Sequence, residues 1–167
     1  MILAVDVYYG EKAASCGGVS FKDWKGSSPE ATYLHKLDHV AEYKPGEFYK
    51  RELPCIIELL NTLTFSPETV IIDGYVFLDG CAKPGLGKHL YDALDRSTPV
   101  IGVAKSRYKS IRSEFALLRG KSMRPLFVTT SGMDIDDAKC RVKEMHGEFR
   151  IPTLLRAADQ LARSNLD

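Results

Sequence analysis

The sequence predicts an α/β domain with a mixed sheet, and three observations support this. Strand-like segments come first and are joined by short turns, which favours antiparallel neighbours. Short apolar runs then alternate with helical patterns, as they do where helices cover a sheet. The chain has 167 residues, of which 44% are hydrophobic and 27% charged, a composition typical of one globular domain. We therefore expect a single domain over residues 1–167.

The first part of the chain is predicted to form three strands, a turn and a helix. The turns between the strands are short, and the third segment alternates in polarity, so an antiparallel meander is expected. A Pro-Gly pair marks the turn before the helix. The predicted strands are residues 2–9, 13–21 and 31–40, the turn is residues 43–46, and the helix ends near Leu63.

The rest of the chain alternates strands with helices. Residues 69–74 and 99–104 are short apolar runs rich in β-branched side chains, which is typical of central strands buried on both faces. A further strand is predicted at residues 123–130. Helices are predicted at residues 87–94 and 134–145 and after Pro152.

Two acidic residues lie in predicted central strands. Asp6 follows the apolar start of the chain, and Asp73 ends the run at residues 69–73. An ionised carboxylate in such a setting must be paired, hydrogen-bonded, protonated or bound to a metal ion. In one interpretation, each acid caps a turn. In the other, the two acids bind Mg²⁺ or Mn²⁺ together with an acid on the predicted helix that lies between them in the chain, Glu52 or Glu58. The pattern leaves both alternatives open.

A basic segment, residues 105–124, holds seven lysine and arginine residues against one acid. The whole chain has a net charge of only +1, so this local excess indicates either a phosphate-binding face or a solvated hairpin. The four cysteines have no metal-ligand spacing, which favours reduced thiols and a cytoplasmic location. No segment approaches the roughly 20 apolar residues of a membrane span, and a monomer is compatible with the sequence.

Several short strings also occur in a recognisable order along nearly the whole chain. They are AVDV at residues 4–7, YKPGEFYKRE at 43–52, IIDG at 71–74, GLGKH at 85–89, PVIGVAKS at 99–106, RIP at 150–152 and RAAD at 156–159. In this order they resemble the endonuclease V family of deoxyinosine-specific nucleases. The resemblance implies a ribonuclease H-like fold: a mixed central sheet with its first three strands antiparallel and helices on both faces.

The resemblance also implies the chemistry. Asp6, Glu52 and Asp73 match the family's metal-site carboxylates, and Lys105 matches its active-site lysine. The expected cofactor is Mg²⁺ or Mn²⁺, which polarises the scissile phosphate and activates water. The implied reaction is hydrolysis of the phosphodiester bond 3′ to inosine during DNA repair, with inosine-containing RNA as an alternative substrate.

The nucleic-acid contacts implied by the resemblance fall into three groups. One is a wedge turn that separates the strands beside the lesion, one is a pair of glycines lining the base pocket, and one is a backbone-binding part of the basic segment. The matching residues are Tyr43 and Pro45, Gly74 and Gly102, and Ser106, Lys109 and Arg112.

Three departures from the family pattern bear on activity. Val76 replaces a glycine and is expected to narrow the base pocket, and Asp79 replaces a histidine. A second active-site histidine has no counterpart in residues 129–134, so Asp134 or Asp136 is expected to supply an oxygen ligand instead. The alternatives are therefore an active inosine nuclease, a nuclease with another substrate, and a catalytically impaired relative that binds nucleic acid.

Overall fold

The computed structural model describes residues 1–10, 13–38, 45 and 47–164. In this part of the chain, seven strands form one sheet. The strands are β1 (Ile2–Tyr9), β2 (Ala14–Phe21), β3 (Ala31–Leu37), β4 (Thr69–Asp73), β5 (Val100–Ala104), β6 (Ala116–Leu117) and β7 (Leu126–Ser131). Their order across the sheet is β3-β2-β1-β4-β5-β7-β6.

Within the same described residues, four α-helices cover the sheet, and one short 3₁₀ turn precedes β6. The helices are α1 (Tyr49–Asn61), α2 (Leu86–Ala93), α3 (Ile135–Glu144) and α4 (Thr153–Arg163), and the 3₁₀ turn is Ser113–Phe115. The predicted elements are confirmed within a few residues, whereas the 3₁₀ turn and β6 were not predicted. Residues 39 and 40, the predicted end of the third strand, lie outside the described residues. None of the helices described has the length and apolar character that a membrane span requires.

The strand directions confirm the predicted mixed sheet. β1, β2 and β3 are antiparallel neighbours, while β1, β4 and β5 run parallel to one another. β7 then runs antiparallel to both β5 and β6. The carboxyl ends of β1, β4 and β5 therefore meet at the same edge of the sheet, which becomes the natural place for a site.

Each face of the sheet has its own helical cover, because side chains alternate along a strand. Ile2 and Ala4 of β1 pack in a cluster with residues of α3 and α4. Leu3 and Val5 pack on the opposite face against α1 and α2. Burial of each large aliphatic side chain contributes roughly 1.5–3 kcal/mol. The predicted helices on both faces are thus confirmed.

Strand β2 is buried along its whole length between two helices. A Cβ atom at Gly17 would lie 2.6 Å from both the Ala158 carbonyl oxygen and the Ala162 nitrogen of α4. On the other face, a Cβ at Gly18 would meet the Leu59 side chain of α1 at 3.1 Å. The missing side chain at Gly17 therefore lets the α4 backbone lie directly on the sheet.

Candidate active site

The strands bring Asp6, Asp73 and Lys105 to one edge of the sheet. Val5 pairs with Ile72 across β1 and β4, so the next residues, Asp6 and Asp73, are neighbours. Lys105 follows the last residue of the adjacent strand β5. All three occupy alternate positions on the sheet face covered by α4, and they line a small cavity there. The sheet register therefore places these three predicted site residues side by side.

Lys105 forms ion pairs with both strand acids. Its Nζ atom lies 2.5 Å from Asp73 Oδ2 and 3.9 Å from Asp6 Oδ2. The Asp6 side chain is 13% exposed, against 30% for Asp73 and 35% for Lys105. Asp6 therefore forms the floor of the site, while Asp73 and Lys105 form its solvent-accessible mouth.

Glu52 approaches the same acids from the first turn of α1, where it is buried. Burial, together with the negative charges of Asp6 and Asp73, raises the pKa of Glu52 to about 8. Burial likewise raises the pKa of Asp6 to about 8, with a further contribution from Asp73 that Lys105 partly offsets. The three predicted metal-site carboxyl groups therefore lie close together, near enough for the charges of Asp6 and Asp73 to oppose ionisation of Glu52.

A fourth carboxyl group, Asp159, joins the cluster from α4. Its charge and its hydrogen bond to the Asp6 side chain both help to raise the pKa of Asp6. Arg163, one helical turn later, donates from Nε to Asp159 Oδ1 at 3.0 Å and holds the carboxylate in place. In the sequence, Asp159 stands out only as the last residue of the string RAAD, which belongs to the resemblance. An acid next to the buried Ala158 of an amphipathic helix was the available signal.

The donor set suits a hard divalent cation, because carboxylate oxygens are the ligands that Mg²⁺ and Mn²⁺ prefer. Over the described residues, no three His, Cys, Asp or Glu side chains have the geometry of a finished metal site. Lys105 supplies positive charge to Asp73 and Asp6 instead, yet the pKa of Asp6 remains raised. The carboxylates repel one another, and the single positive charge of Lys105 does not balance their negative charge. Such a cluster is suited to binding a divalent cation.

Asp136, the other expected metal ligand, is at the opposite edge of the sheet, and that expectation is wrong. β7 is antiparallel to β5, so Phe127 pairs with Ala104 near the site while Ser131 pairs with Val100 at the far end. Asp136 follows Ser131 and is separated from the carboxylates by the five residues of β5, roughly 16 Å. The neighbouring Asp134 caps α3 by accepting hydrogen bonds from its first backbone N–H groups.

A cleft of about 490 Å³ opens beside the cluster. Glu52, Asp73 and Lys105 form its charged wall. The other lining residues are mainly aromatic or small: Phe48, Tyr49, Gly74, Tyr75, Leu78, Pro84, Gly85, Leu86, Ala104, Ser106 and Tyr108. A partly apolar cleft with polar groups on one wall can accept an aromatic base beside a phosphate.

The structure separates the two glycines that were expected to line the base pocket. Gly74 does line the cleft, and a Cβ there would meet no atom within 4 Å. Gly102 lies beneath the cleft instead, where a Cβ would meet the Gly74 carbonyl oxygen at 2.5 Å and the Val76 nitrogen at 2.8 Å. Gly102 therefore supports the turn after β4 by close backbone packing and is not a lining residue.

The expected narrowing of the pocket by Val76 is also wrong. Val76 is fully buried among residues of α1 and α2, and its backbone N–H donates to Thr129 Oγ1 at 2.8 Å. A Cβ at Gly87 would lie 2.6 Å from Val76 Cγ2. The valine side chain thus fills space above the start of α2 and points away from the cleft.

Replacing Val76 by glycine is therefore expected to destabilise the protein by roughly 3 kcal/mol, because it leaves a cavity and adds backbone freedom. Urea unfolding would measure the loss, and cleavage assays below the unfolding transition should show no gain in activity toward inosine. A gain in that activity would mean that Val76 does restrict the cleft.

The Asp79 side chain stabilises the loop in which it lies. Its Oδ1 atom accepts hydrogen bonds from the backbone N–H groups of Cys81, Ala82 and Lys83 at 2.9–3.0 Å. These bonds lower the pKa of Asp79 to about 2. Asp79, at the position where the resemblance implies a histidine, therefore stabilises the loop between β4 and α2 and does not join the carboxylate cluster.

The basic segment divides into structural and exposed cations. Arg119 is buried and donates to the backbone carbonyls of Val142, Met145 and Phe149, so it anchors the end of α3. The predicted backbone-binding Lys109 is exposed. The other predicted residues fall as follows: Arg112 is exposed and ion-paired with Glu114, Ser106 lines the cleft, Pro45 is exposed, and Tyr43 lies outside the described residues.

Solved structures share this fold. An endonuclease V from Streptomyces avermitilis matches 97% of this chain and 79% of its own with a TM-score of 0.80 and 24% identity. Endonuclease V from Ciona intestinalis, in complex with a DNA 24mer containing an inosine followed by a ribo-adenosine, matches 99% of this chain and 85% of its own with a TM-score of 0.81 and 20% identity. At these identities the match concerns the fold, and it confirms the predicted ribonuclease H-like class.

Sequence comparisons identify the family. The family model described as Endonuclease V matches residues 1–122. The endonuclease V of Geotalea uraniireducens is 31% identical over 96% of this chain and 76% of its own length. That of Streptomyces avermitilis is 29% identical over 78% of this chain and 69% of its own length. A chain matched by this model over most of its length, and by these relatives, belongs to the endonuclease V family.

Proposed function

We propose that this protein is a divalent-cation-dependent endonuclease that hydrolyses the phosphodiester bond 3′ to inosine in DNA. The observation that supports it best is the meeting of Asp6, Asp73 and Lys105 at one sheet edge, with Glu52 and Asp159 beside them. Membership of the endonuclease V family and the inosine-containing DNA bound by the Ciona relative support the substrate class.

The residues divide the chemical work. Asp6 and Asp73 would hold Mg²⁺ or Mn²⁺, with Asp159 and Glu52 completing the oxygen donor set. The bound ion supplies positive charge against the scissile phosphate. The Lys105 ammonium group, already beside Asp73, stabilises negative charge that develops on the phosphate oxygens. Glu52 orients the attacking water from the cleft side.

The cleft supplies a place for the base. A flipped purine stacks on aromatic rings and is recognised along its edge by polar groups. Tyr75 and Tyr108 form an edge-to-face pair with centroids 6.2 Å apart, and the Tyr75 hydroxyl donates to the Ser106 carbonyl oxygen at 2.8 Å. Gly74 keeps the adjacent wall open. Flipping costs least at a weakened pair, which favours a deaminated base.

The test is nicking of an end-labelled DNA duplex that contains one inosine, with Mg²⁺ and then Mn²⁺. An adenine duplex is the substrate control, an Asp6→Ala variant is the protein control, and an inosine-containing single-stranded RNA tests the alternative substrate. We expect inosine-dependent cutting of DNA that needs the cation and is lost in the variant.

Two other outcomes would change the proposal. Cutting of RNA but not DNA would make the protein a ribonuclease with the same site. Salt-sensitive binding of the inosine duplex without any cutting would make it a nucleic-acid-binding relative that has lost catalysis.

A further inference from the structure

A second depression lies on the far side of Lys105 from the aromatic cleft. We call it the arginine groove, and its lining residues are Lys105, Ser106, Arg107, Arg124, Pro125, Phe127 and Arg150. Four of these side chains are cationic, and none is acidic. Lys105 and Ser106 line both the cleft and the groove, so the two depressions meet at the catalytic lysine.

The three arginines come from separate parts of the chain. Arg150 donates from one guanidinium nitrogen to the carbonyl oxygens of Lys105 at 3.0 Å and Pro125 at 3.4 Å, which joins the end of β5 to the start of β7. The Arg107 guanidinium lies 5.9 Å from the centre of the Phe127 ring. Arg124 is exposed at the rim. The groove is thus built on the sheet edge that carries the carboxylates.

Within the described residues, none of these three guanidinium groups forms an ion pair with a carboxylate. By contrast, Arg112 is paired with Glu114 at 2.8 Å and Arg163 with Asp159 at 3.0 Å. Three unneutralised cations around one depression create a local positive potential that favours an anion. Guanidinium groups bind phosphate oxygens through two parallel hydrogen bonds, which gives such a site a geometric preference for phosphate.

We propose that the arginine groove binds the backbone phosphate that follows the scissile bond on its 3′ side. This inference rests on the proposed function, which places inosine in the cleft and the scissile phosphate at Asp73 and Lys105. A strand that crosses Lys105 from the cleft continues directly into the groove. The groove then fixes the direction of the strand, because only the 3′ continuation of the inosine strand meets the arginines.

The experiment compares wild-type protein with an Arg124→Ala variant, chosen because Arg124 is exposed and its loss leaves no buried group unpaired. An Arg141→Ala variant is the matched control, since Arg141 is an exposed arginine that packs on Trp24 and does not line the groove. Binding of a fluorescent inosine duplex is measured in EDTA between 50 and 200 mM KCl. We expect weaker binding and a salt slope reduced by about 1 for Arg124→Ala, with neither change in the control.

A modified substrate locates the contact. A duplex in which the first phosphate 3′ to the scissile bond is an uncharged methylphosphonate should bind wild-type protein about as weakly as Arg124→Ala binds normal DNA. The variant should lose little more affinity on this duplex, because the same contact is removed twice. Additive losses, or an unchanged salt slope for Arg124→Ala, would overturn the groove assignment.

The proposed function is tested separately by wild-type nicking. If wild-type protein cuts at inosine while Arg124→Ala binds and cuts like wild type, the groove assignment fails and the proposed function stands. If wild-type protein binds but does not cut, and the methylphosphonate has no effect on binding, the placement of the scissile bond fails and the groove assignment fails with it.

Discussion

Replacing Asp73 by asparagine is expected to reduce inosine-directed cleavage by about 10³-fold, at least as much as the loss of one transition-state hydrogen-bond donor in other enzymes. Asparagine preserves the size of the side chain but removes the negative charge that would hold the cation and that pairs with Lys105 at 2.5 Å. Single-turnover nicking at saturating Mg²⁺ is the measurement. Activity within tenfold of wild type would remove Asp73 from the proposed site.

Stability measurements distinguish a catalytic from a structural role for these acids. Burial and the charge of Asp73 raise the pKa of Asp6, so Asp6→Asn should be no less stable than wild type near neutral pH in chelator, although it should be equally inactive. Asp92→Asn is a matched control. Asp92 is an exposed acid paired with Lys88 and Arg96 away from the site, and its replacement should leave cleavage unchanged.

The stability of the cation-free protein is expected to fall as pH rises from about 4 to about 8. In the folded protein Asp6 and Glu52 have pKa values of about 8, against ordinary values of 3.8 and 4.5. Across this window the folded state therefore binds more protons than the unfolded state, and linkage requires stability to decrease as protons are removed. One such group changes the free energy of unfolding by up to about 1.4 kcal/mol per pH unit.

Mg²⁺ should reverse this trend. Ionised carboxylates bind the cation, so its stabilising effect should grow as pH rises. Thermal unfolding at pH 5 and pH 8, each with EDTA and with Mg²⁺, gives the four values needed. We expect the largest increase in Tm on adding Mg²⁺ at pH 8, and we expect Asp6→Asn to have a smaller increase. A Tm in EDTA that does not vary with pH would show that the acids do not oppose one another's ionisation.

The central strands and their acids could be predicted from the sequence because the information is local. Apolar β-branched runs identify strands buried on both faces, and the acid that ends such a run must lie at the edge of the sheet. Asp73 is placed by this pattern alone. Lys105 follows the next run by the same reasoning, although its role came from the resemblance.

What could not be predicted depends on contacts between distant segments. Asp136 was placed wrongly because the residues of β7 do not reveal the direction of this strand. Since β7 is antiparallel to β5, the helix that follows it begins at the end of the sheet opposite the carboxylates. Val76 was expected to line the pocket because its spacing from Asp73 does not reveal in which direction its side chain points after the turn. Asp159 was missed as a site residue because its position depends on how α4 packs across β1 and β2.

That packing has a consequence for how the site tolerates change. A glycine at position 17 sets the distance between α4 and the sheet, since even one methyl group there would collide with the helix backbone. This contact fixes the distance of α4 from the middle of β2, and α4 in turn holds Asp159 beside Asp6. Gly17 also pairs with Asp6 across β1 and β2, so a single added carbon atom beside the carboxylates would displace α4 and withdraw the Asp159 oxygen donor. The dimensions of the active site are thus partly set by a residue that has no side chain.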